Sequence, residues 1–256
     1  MIKAVNIRKN CAQRIMMKPI YKRILLKLSG EGLMGEKNFG MSAEVINSLA
    51  KQIKDVYDAG VGVCLVVGGG NIFRGAKEAS KGMNRTVADQ VGMMATVMNA
   101  LYLQNALEQI GAEVRVLSGL EMPEVCEHYV YRRALRHLQK GRIIIFAAGT
   151  GNPYFTTDTA AALRASEMQC DVILKSTQVD GVYDSDPRKN PKAKKFDEIS
   201  YDEVISKQLK VMDMTAVALA QENNIPVVVF SQSSPKALMN AVTGKGKFTI
   251  IKNEVK

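Results

Sequence analysis

Val63-Cys64-Leu65-Val66-Val67-Gly68-Gly69-Gly70-Asn71-Ile72-Phe73-Arg74-Gly75 decides the architecture. The apolar run Val63 to Val67 reads as a strand buried on both faces, the habit of a parallel sheet. It breaks at once into Gly68, Gly69 and Gly70, whose backbone N–H groups, free of side chains, are able to close around an anion. Arg74 follows, with a guanidinium suited to gripping a phosphate through two parallel hydrogen bonds. In open α/β sheets ligands sit beyond the carboxyl ends of the strands, where this glycine run falls. A plain strand-to-helix turn needs one glycine; three in succession cost more backbone entropy than a turn explains, and favour phosphate binding.

Upstream, Ile24-Leu25-Leu26-Lys27-Leu28 is a second buried strand with an anomaly at its carboxyl end. Lys27 either snorkels to the surface or stands at the rim of a phosphate site as a point charge for a transferring phosphoryl group. Gly30-Glu31-Gly32-Leu33-Met34-Gly35 matches G-x-G-x-x-G, but that fingerprint must open directly into a helix. Here the loop continues through Asn38-Phe39-Gly40, and helical periodicity begins only after the N-cap Ser42 and ends at Gly60, so the dinucleotide reading loses.

Downstream, a helix is predicted from Thr86 to Ile110, apolar on more than one face, which implies full burial or a surface shared with another subunit. Strands at Val114–Leu117 and Ile143–Ala147 flank a helical stretch holding His128 and His137, neither near a glycine loop. Gly149-Thr150-Gly151-Asn152-Pro153-Tyr154-Phe155-Thr156-Thr157-Asp158 then leads into an alanine-rich helix, so hydroxyls and backbone N–H groups collect at a helix N-terminus. Thr157 or Asp158 as a simple cap is compatible with an anion site. After the strand Asp171–Lys175 comes an acidic loop, Ser176 to Pro187, which lacks the ligand spacing of a calcium loop. Lys192 to Lys195 reads as a solvated turn. Helix Asp213–Asn223, strand Val227–Phe230, helix Pro235–Val242 and a strand near Phe248–Ile251 complete the chain. This alternation predicts an α/β fold, a three-layer α/β/α sandwich with a mostly parallel central sheet.

The 256 residues carry a formal charge of +10, with 46% hydrophobic and 23% charged residues, which suits a globule with a sizeable core. Scattered basic residues, 6% aromatics and no tryptophan argue against nucleic acid and for small phosphorylated substrates. Cys11, Cys64, Cys126 and Cys170 are too widely spaced for a zinc site or disulfide framework, and fit reduced cytosolic thiols. No apolar run is long enough for a membrane span. Residues 1–19 are basic, lack acidic residues and any apolar stripe, and are expected to form a disordered tail ahead of a single domain over 20–256.

No P-loop motif G-x-x-x-x-G-K-[ST] occurs, yet glycine loops at strand ends, a lone lysine, an arginine and several aspartates describe a phosphoryl-transfer site. Tyr21 to Gly30, Gly68 to Gly75, Gly149 to Asp158 and Val179-Asp180-Gly181-Val182-Tyr183, in this order, resemble the bacterial uridylate kinases of the amino acid kinase fold. The resemblance implies ATP-dependent, Mg2+-assisted phosphorylation of UMP to UDP in pyrimidine nucleotide synthesis, by a cytoplasmic homohexamer with GTP and UTP as effectors. It places Lys27, Leu28, Ser29, Gly30, Gly70 and Arg74 on the ATP phosphates. Thr177, Tyr183 and Asp186 fall at the nucleoside end of ATP. Gly69, Asp89 and Thr150, Gly151, Asn152, Pro153, Tyr154, Phe155, Thr156 and Thr157 fall on UMP. Asp158 and Asp213 become organisers of a catalytic centre that includes Lys27 and Arg74, with no dedicated protein metal site. Gly35 to Gly40 matches the region implicated in GTP control. The Asn152 to Thr157 run argues for a nucleotide acceptor over the amino-acid or carbamate acceptors of other enzymes of the fold, and the intact Lys27 and Asp158 argue against a sensor without turnover.

Overall fold

The strand that opens the domain lies at the middle of the sheet. In the computed structural model, which describes residues 18–75 and 81–255, β1 (Arg23–Leu28) pairs in parallel with β2 (Gly62–Val67) on one side and β6 (Val172–Thr177) on the other. Beyond β2 lie β5 (Ile143–Ala147), β3 (Val114–Ser118) and the short β4 (Glu127–His128). Beyond β6 lie β10 (Val227–Ser231), β11 (Phe248–Lys252) and β9 (Glu198–Ser200), giving a nine-stranded sheet. Only the β10–β11 pairing is antiparallel within it. Because the chain leaves β1 toward β2 but returns to the other flank at β6, the carboxyl end of β1 is a topological switch point, where ligands bind in such sheets.

Strand residues alternate between two cores. Ile24, Leu26, Leu28, Val63, Leu65 and Val67 pack with α1 (Ala43–Asp58), α2 (Arg85–Gln109) and α7 (Ala237–Val242). Leu25, Cys64, Val66, Ile144, Phe146 and Ile173 face α4 (Thr157–Glu167) and α6 (Met214–Glu222). These are the two outer layers of the expected sandwich. The period of two also sends Lys27 and Lys175 to the α4 side, in the phase of Leu25 and Ile173. Ala160, Ala161, Ala162 and Ala165 on the inner face of α4 are wholly buried, and their small side chains let the helix lie close on the sheet.

Ser42 caps α1 through a hydrogen bond from the Val45 N–H, so the loop Gly30 to Met41 is indeed interposed between β1 and the helix, with a short 3-10 turn over Gly30–Leu33 at its start. The remaining departures from the sequence reading are local. His128 stands on edge strand β4, and only His137 is in the helix α3 (Tyr131–Gln139). The loop after β6 contains a two-stranded ribbon, β7 (Val182–Tyr183) with β8 (Lys195–Phe196), so Lys195 pairs in a strand and is no part of a free turn. A further helix, α5 (Tyr201–Ser206), starts from a complete capping box of Ser200 and Glu203. Such two- and six-residue elements are too short to show a period. The basic tail up to Met17, with Cys11, and part of the loop after Gly75 lie outside the described residues. Cys64, Cys126 and Cys170 are free thiols, and no described helix is long and apolar enough to cross a membrane.

Candidate active site

Two strand ends and a helix N-terminus meet at one carboxylate. Lys27 on β1 and Lys175 on β6 are register partners in adjacent strands and point to the same face. Above them, Thr156 caps α4, accepting hydrogen bonds from the Asp158 and Thr159 N–H groups, which puts Asp158 in the first turn, where the helix dipole favours an anion. Asp158 Oδ1 lies 2.8 Å from Lys27 Nζ, and Asp158 Oδ2 accepts a 2.6 Å hydrogen bond from Lys175 Nζ. The three side chains are only 11%, 15% and 10% exposed for Lys27, Asp158 and Lys175. Burial alone would raise the Asp158 pKa, but Lys27 and Lys175 outweigh it and hold the carboxyl below its ordinary 3.8. Lys175 is pushed below its ordinary 10.5, first by burial and further by Lys27, with Asp158 and Asp213 opposing.

Asp213 bolts α4 to α6. It caps α6 through the Ala216 N–H at 2.9 Å, and it accepts the Thr159 hydroxyl at 2.8 Å and the Thr156 hydroxyl. Ser29 and Gly30 follow β1. A Cβ on Gly30 would stand 2.7 Å from the Gly70 nitrogen and 2.8 Å from the Gly68 oxygen, so only glycine lets the β1 loop lie against the glycine turn. Leu28 is buried in the core, so only its backbone reaches this edge. Arg74 sits at the rim, its Nη2 2.9 Å from Glu31 Oε1 and its Nε donating to the Gly70 carbonyl at 3.2 Å.

A cleft of about 220 Å3 lies between the glycine turn, α2 and the Gly149–Thr157 loop. Gly69, Gly70, Asp89, Thr150, Asn152, Phe155, Thr156 and Thr157 line it. Gly151, Pro153 and Tyr154 are not on its wall: a Cβ on Gly151 would stand 2.5 Å from the Gly119 oxygen, and the Tyr154 ring is 66% exposed. Asp89 is held by Arg85, whose Nε lies 2.8 Å from Oδ2, and that same oxygen accepts the Tyr154 N–H at 2.8 Å. The bond fixes Tyr154 in a left-handed conformation, with φ of 70°, that is strained for its side chain. A second cleft, of about 480 Å3, is lined by Thr177, Tyr183 and Asp186 together with the 207–211 segment. There the Thr177 hydroxyl donates to the Val179 carbonyl, and the Tyr183 hydroxyl donates to Asp180, which raises the Tyr183 pKa.

Lys175, Asn71, Asn99, Thr96, Glu31 and Arg85 carried no role in the sequence reading. Lys175 bore the same signal as Lys27, a lysine closing an apolar strand. Asn99 is a buried polar residue in an otherwise apolar stretch of α2. Its amide donates to the Gly68 carbonyl at 2.7 Å and exchanges hydrogen bonds with the Asn71 amide, while Thr96 Oγ1 accepts the Ala148 N–H at 2.8 Å. α2 thereby buttresses both glycine-bearing loops.

Comparison with known proteins gives this geometry a family. Residues 22–231 match the model of the Amino acid kinase family. The chain is 56% identical to a uridylate kinase of Paramagnetospirillum magneticum over 91% of its own length and 98% of that protein's. Its structure resembles the crystal structure of UMP kinase from Ureaplasma parvum, with a TM-score of 0.87 and 40% identity over 91% of this chain and 99% of that one. It also resembles UMP kinase from Bacillus anthracis, with a TM-score of 0.89 and 37% identity over 92% and 97% of the two chains. The chain belongs to the amino acid kinase family, on its uridylate kinase branch.

Proposed function

We propose that this chain transfers the γ-phosphoryl group of ATP to UMP, forming UDP and ADP. The observation that carries the reading is the Lys27–Asp158–Lys175 knot, flanked by one cleft through Thr157 and by another through Thr177 and Val211. UMP occupies the smaller cleft, its phosphate against Gly69 and the Thr150–Thr157 loop. The triphosphate of ATP crosses Lys27, Leu28, Ser29, Gly30, Gly70 and Arg74, and its nucleoside end enters the larger cleft at Thr177, Tyr183 and Asp186. The oxygen of the UMP phosphate attacks the γ-phosphorus directly. Among the described residues no side chain between the clefts is placed as a covalent nucleophile, and catalysis is positioning plus stabilisation of the charge that spreads over the transferring group. Lys27 meets that charge, with Asp158 and Asp213 fixing the geometry around it.

Mg2+ accompanying ATP would neutralise charge on its phosphates. Among the described residues no group of three His, Cys, Asp or Glu is arranged to hold a metal. Asp158 is engaged by two lysines, and Asp213 by two hydroxyls and an N–H. The enzyme works in the cytoplasm as a homohexamer. Its subunit contact is the α2 stripe Val87, Val91, Met94, Met98 and Tyr102, each 39% to 52% exposed at helical spacing. Met98→Glu is then expected to lower the mass measured by light scattering, and a monodisperse monomer of the parent removes the oligomer from this reading. GTP and UTP act as effectors, and Gly35–Gly40 is tied to the glycine turn through Asn71, which bonds Gly40 through both backbone and side chain.

The function is tested by one coupled assay with ATP, Mg2+ and a panel of UMP, CMP, aspartate, glutamate and carbamate. Turnover confined largely to UMP is expected. Preferred turnover of an amino acid or carbamate, or of none, overturns the reading.

A further inference from the structure

We propose that Lys175 is a positioning residue for the phosphoryl transfer, its ammonium engaging one oxygen of Asp158 and the Val211 carbonyl so that Lys27 faces the transferring group with its charge uncancelled. This rests on the kinase reading above. A lone Lys27–Asp158 pair would be a closed neutral unit. With Lys175 added, two ammonium groups share one carboxylate, and the knot keeps a net positive charge where negative charge accumulates. Asp213 also faces Lys175, but its oxygens are engaged by the Thr156 and Thr159 hydroxyls and the Ala216 N–H.

Burying a second lysine beside the first is expensive, and a sheet packed against an alanine-rich helix has no packing need for one. Lys175 is nevertheless 8% exposed and in register with Lys27, so both cations are aimed by the backbone at one point. Its second bond ties that point to the donor side. The Val211 carbonyl belongs to the 207–211 segment that walls the larger cleft, and Asp158 belongs to the helix whose first turn borders the smaller one. Lys175 is thus the contact through which the two substrate walls are held at a fixed offset. The depressed pKa adds a consequence: the ammonium is lost on the alkaline side before an ordinary lysine would be.

The test compares the parent with Lys175→Met, Lys175→Arg, Asp158→Asn and the Asp158→Asn/Lys175→Met double variant, with folding followed by thermal melting. Lys175→Met is expected to lower kcat about a hundredfold while the UMP KM changes less than about threefold, and Lys175→Arg to restore at least about tenfold of that loss. In the Asp158→Asn background the same Met substitution is expected to cost less than about threefold, because its effect passes through the carboxylate already removed. The parent kcat is expected to fall on an alkaline limb below pH 10.5 that moves upward in Lys175→Arg. Near-normal kcat in Lys175→Met, or fully multiplicative losses in the double variant, overturns the proposal. Should Lys175→Met fail to fold, an alkaline limb unmoved by Lys175→Arg overturns it equally. A parent that phosphorylates no acceptor removes the kinase reading itself, whereas an active parent matched by Lys175→Met removes only the role of Lys175.

Discussion

The same kind of contact, a cation against a carboxylate, recurs among the described residues along the carboxyl edge of this sheet at different depths. Lys27–Asp158–Lys175 is buried, Arg85–Asp89 has a sheltered carboxylate and a half-exposed cation, and Arg74–Glu31 is about half exposed on both sides. Distances do not separate them, since all lie between 2.6 and 2.9 Å. Environment does. A buried pair is little better than two apolar residues while intact but expensive once one partner is gone; an exposed pair is worth little either way. On the kinase reading proposed above, the deep knot fixes geometry, and the rim pair is weak enough for a substrate phosphate to displace.

The largest expected effect follows from breaking the deep contact. Asp158→Asn leaves two ammonium groups converging on a neutral amide, and is expected to lower kcat by about two to four powers of ten with modest changes in KM. The same change is expected to cost about 3 kcal/mol of stability, read from denaturant unfolding. Its pH signature has a definite sign. Because Asp158 is held below its ordinary 3.8, its contribution is present above that value and is lost as pH falls through the lower folded value, an acid-side component absent from Asp158→Asn. Lys175 behaves oppositely. Its folded pKa is depressed below 10.5, so the unfolded chain binds more protons in that window and its term increases stability as pH rises toward 10.5. Lysine deprotonation should therefore add stability while kcat falls. A kcat that rises across the alkaline window contradicts the assignment.

The depth of the knot also explains what was readable in advance. Lys27 stood out because it interrupts an apolar strand, and the glycine turn because no other residue permits its close approaches. Lys175 interrupts its strand in the same way, yet nothing local in the sequence joins it to Lys27. Only the register of β1 with β6 reveals that the two belong together, and pairing between strands about 150 residues apart carries no local signal. The layers were legible from buried strands and helix periods. The β7–β8 ribbon and α5 were not, because two- and six-residue elements are fixed by tertiary contacts more than by periodicity. Asp89 was legible as a residue near the glycine loop, but its bond to the Tyr154 N–H, which spans 65 positions, was not.

The intermediate pair is sharpened by Asp89→Ala. The substitution frees Arg85 from its carboxylate and strands the N–H that holds Tyr154 in its left-handed conformation, so the loop proposed to cradle UMP loses an anchor. A hydrogen bond to a charged group contributes roughly 1.5–3 kcal/mol, and kcat/KM for UMP is expected to fall by roughly ten- to a hundredfold with the ATP KM unchanged. If the carboxylate also receives a ribose hydroxyl, the preference for UMP over dUMP shrinks in the variant. Equal discrimination by parent and variant would restrict Asp89 to supporting the loop.

The smallest effect belongs to the rim, and its sign is the informative part. Arg74 reaches Glu31 through Nη2 and the Gly70 carbonyl through Nε, so its guanidinium is already pointed across the glycine turn. On the proposed reading an incoming phosphate competes with Glu31 for it. An ion pair this exposed is worth about 0–1 kcal/mol, so removing the competitor returns at most that amount to the substrate. Glu31→Gln is therefore expected to lower the ATP KM by no more than about fivefold, with kcat and melting temperature essentially held. Added salt should narrow the gap between parent and variant, since screening weakens the pair in the parent but has no pair to weaken in the variant. A raised ATP KM would mean that Glu31 supports the bound donor itself, and that this third contact works as the deep one does despite its exposure.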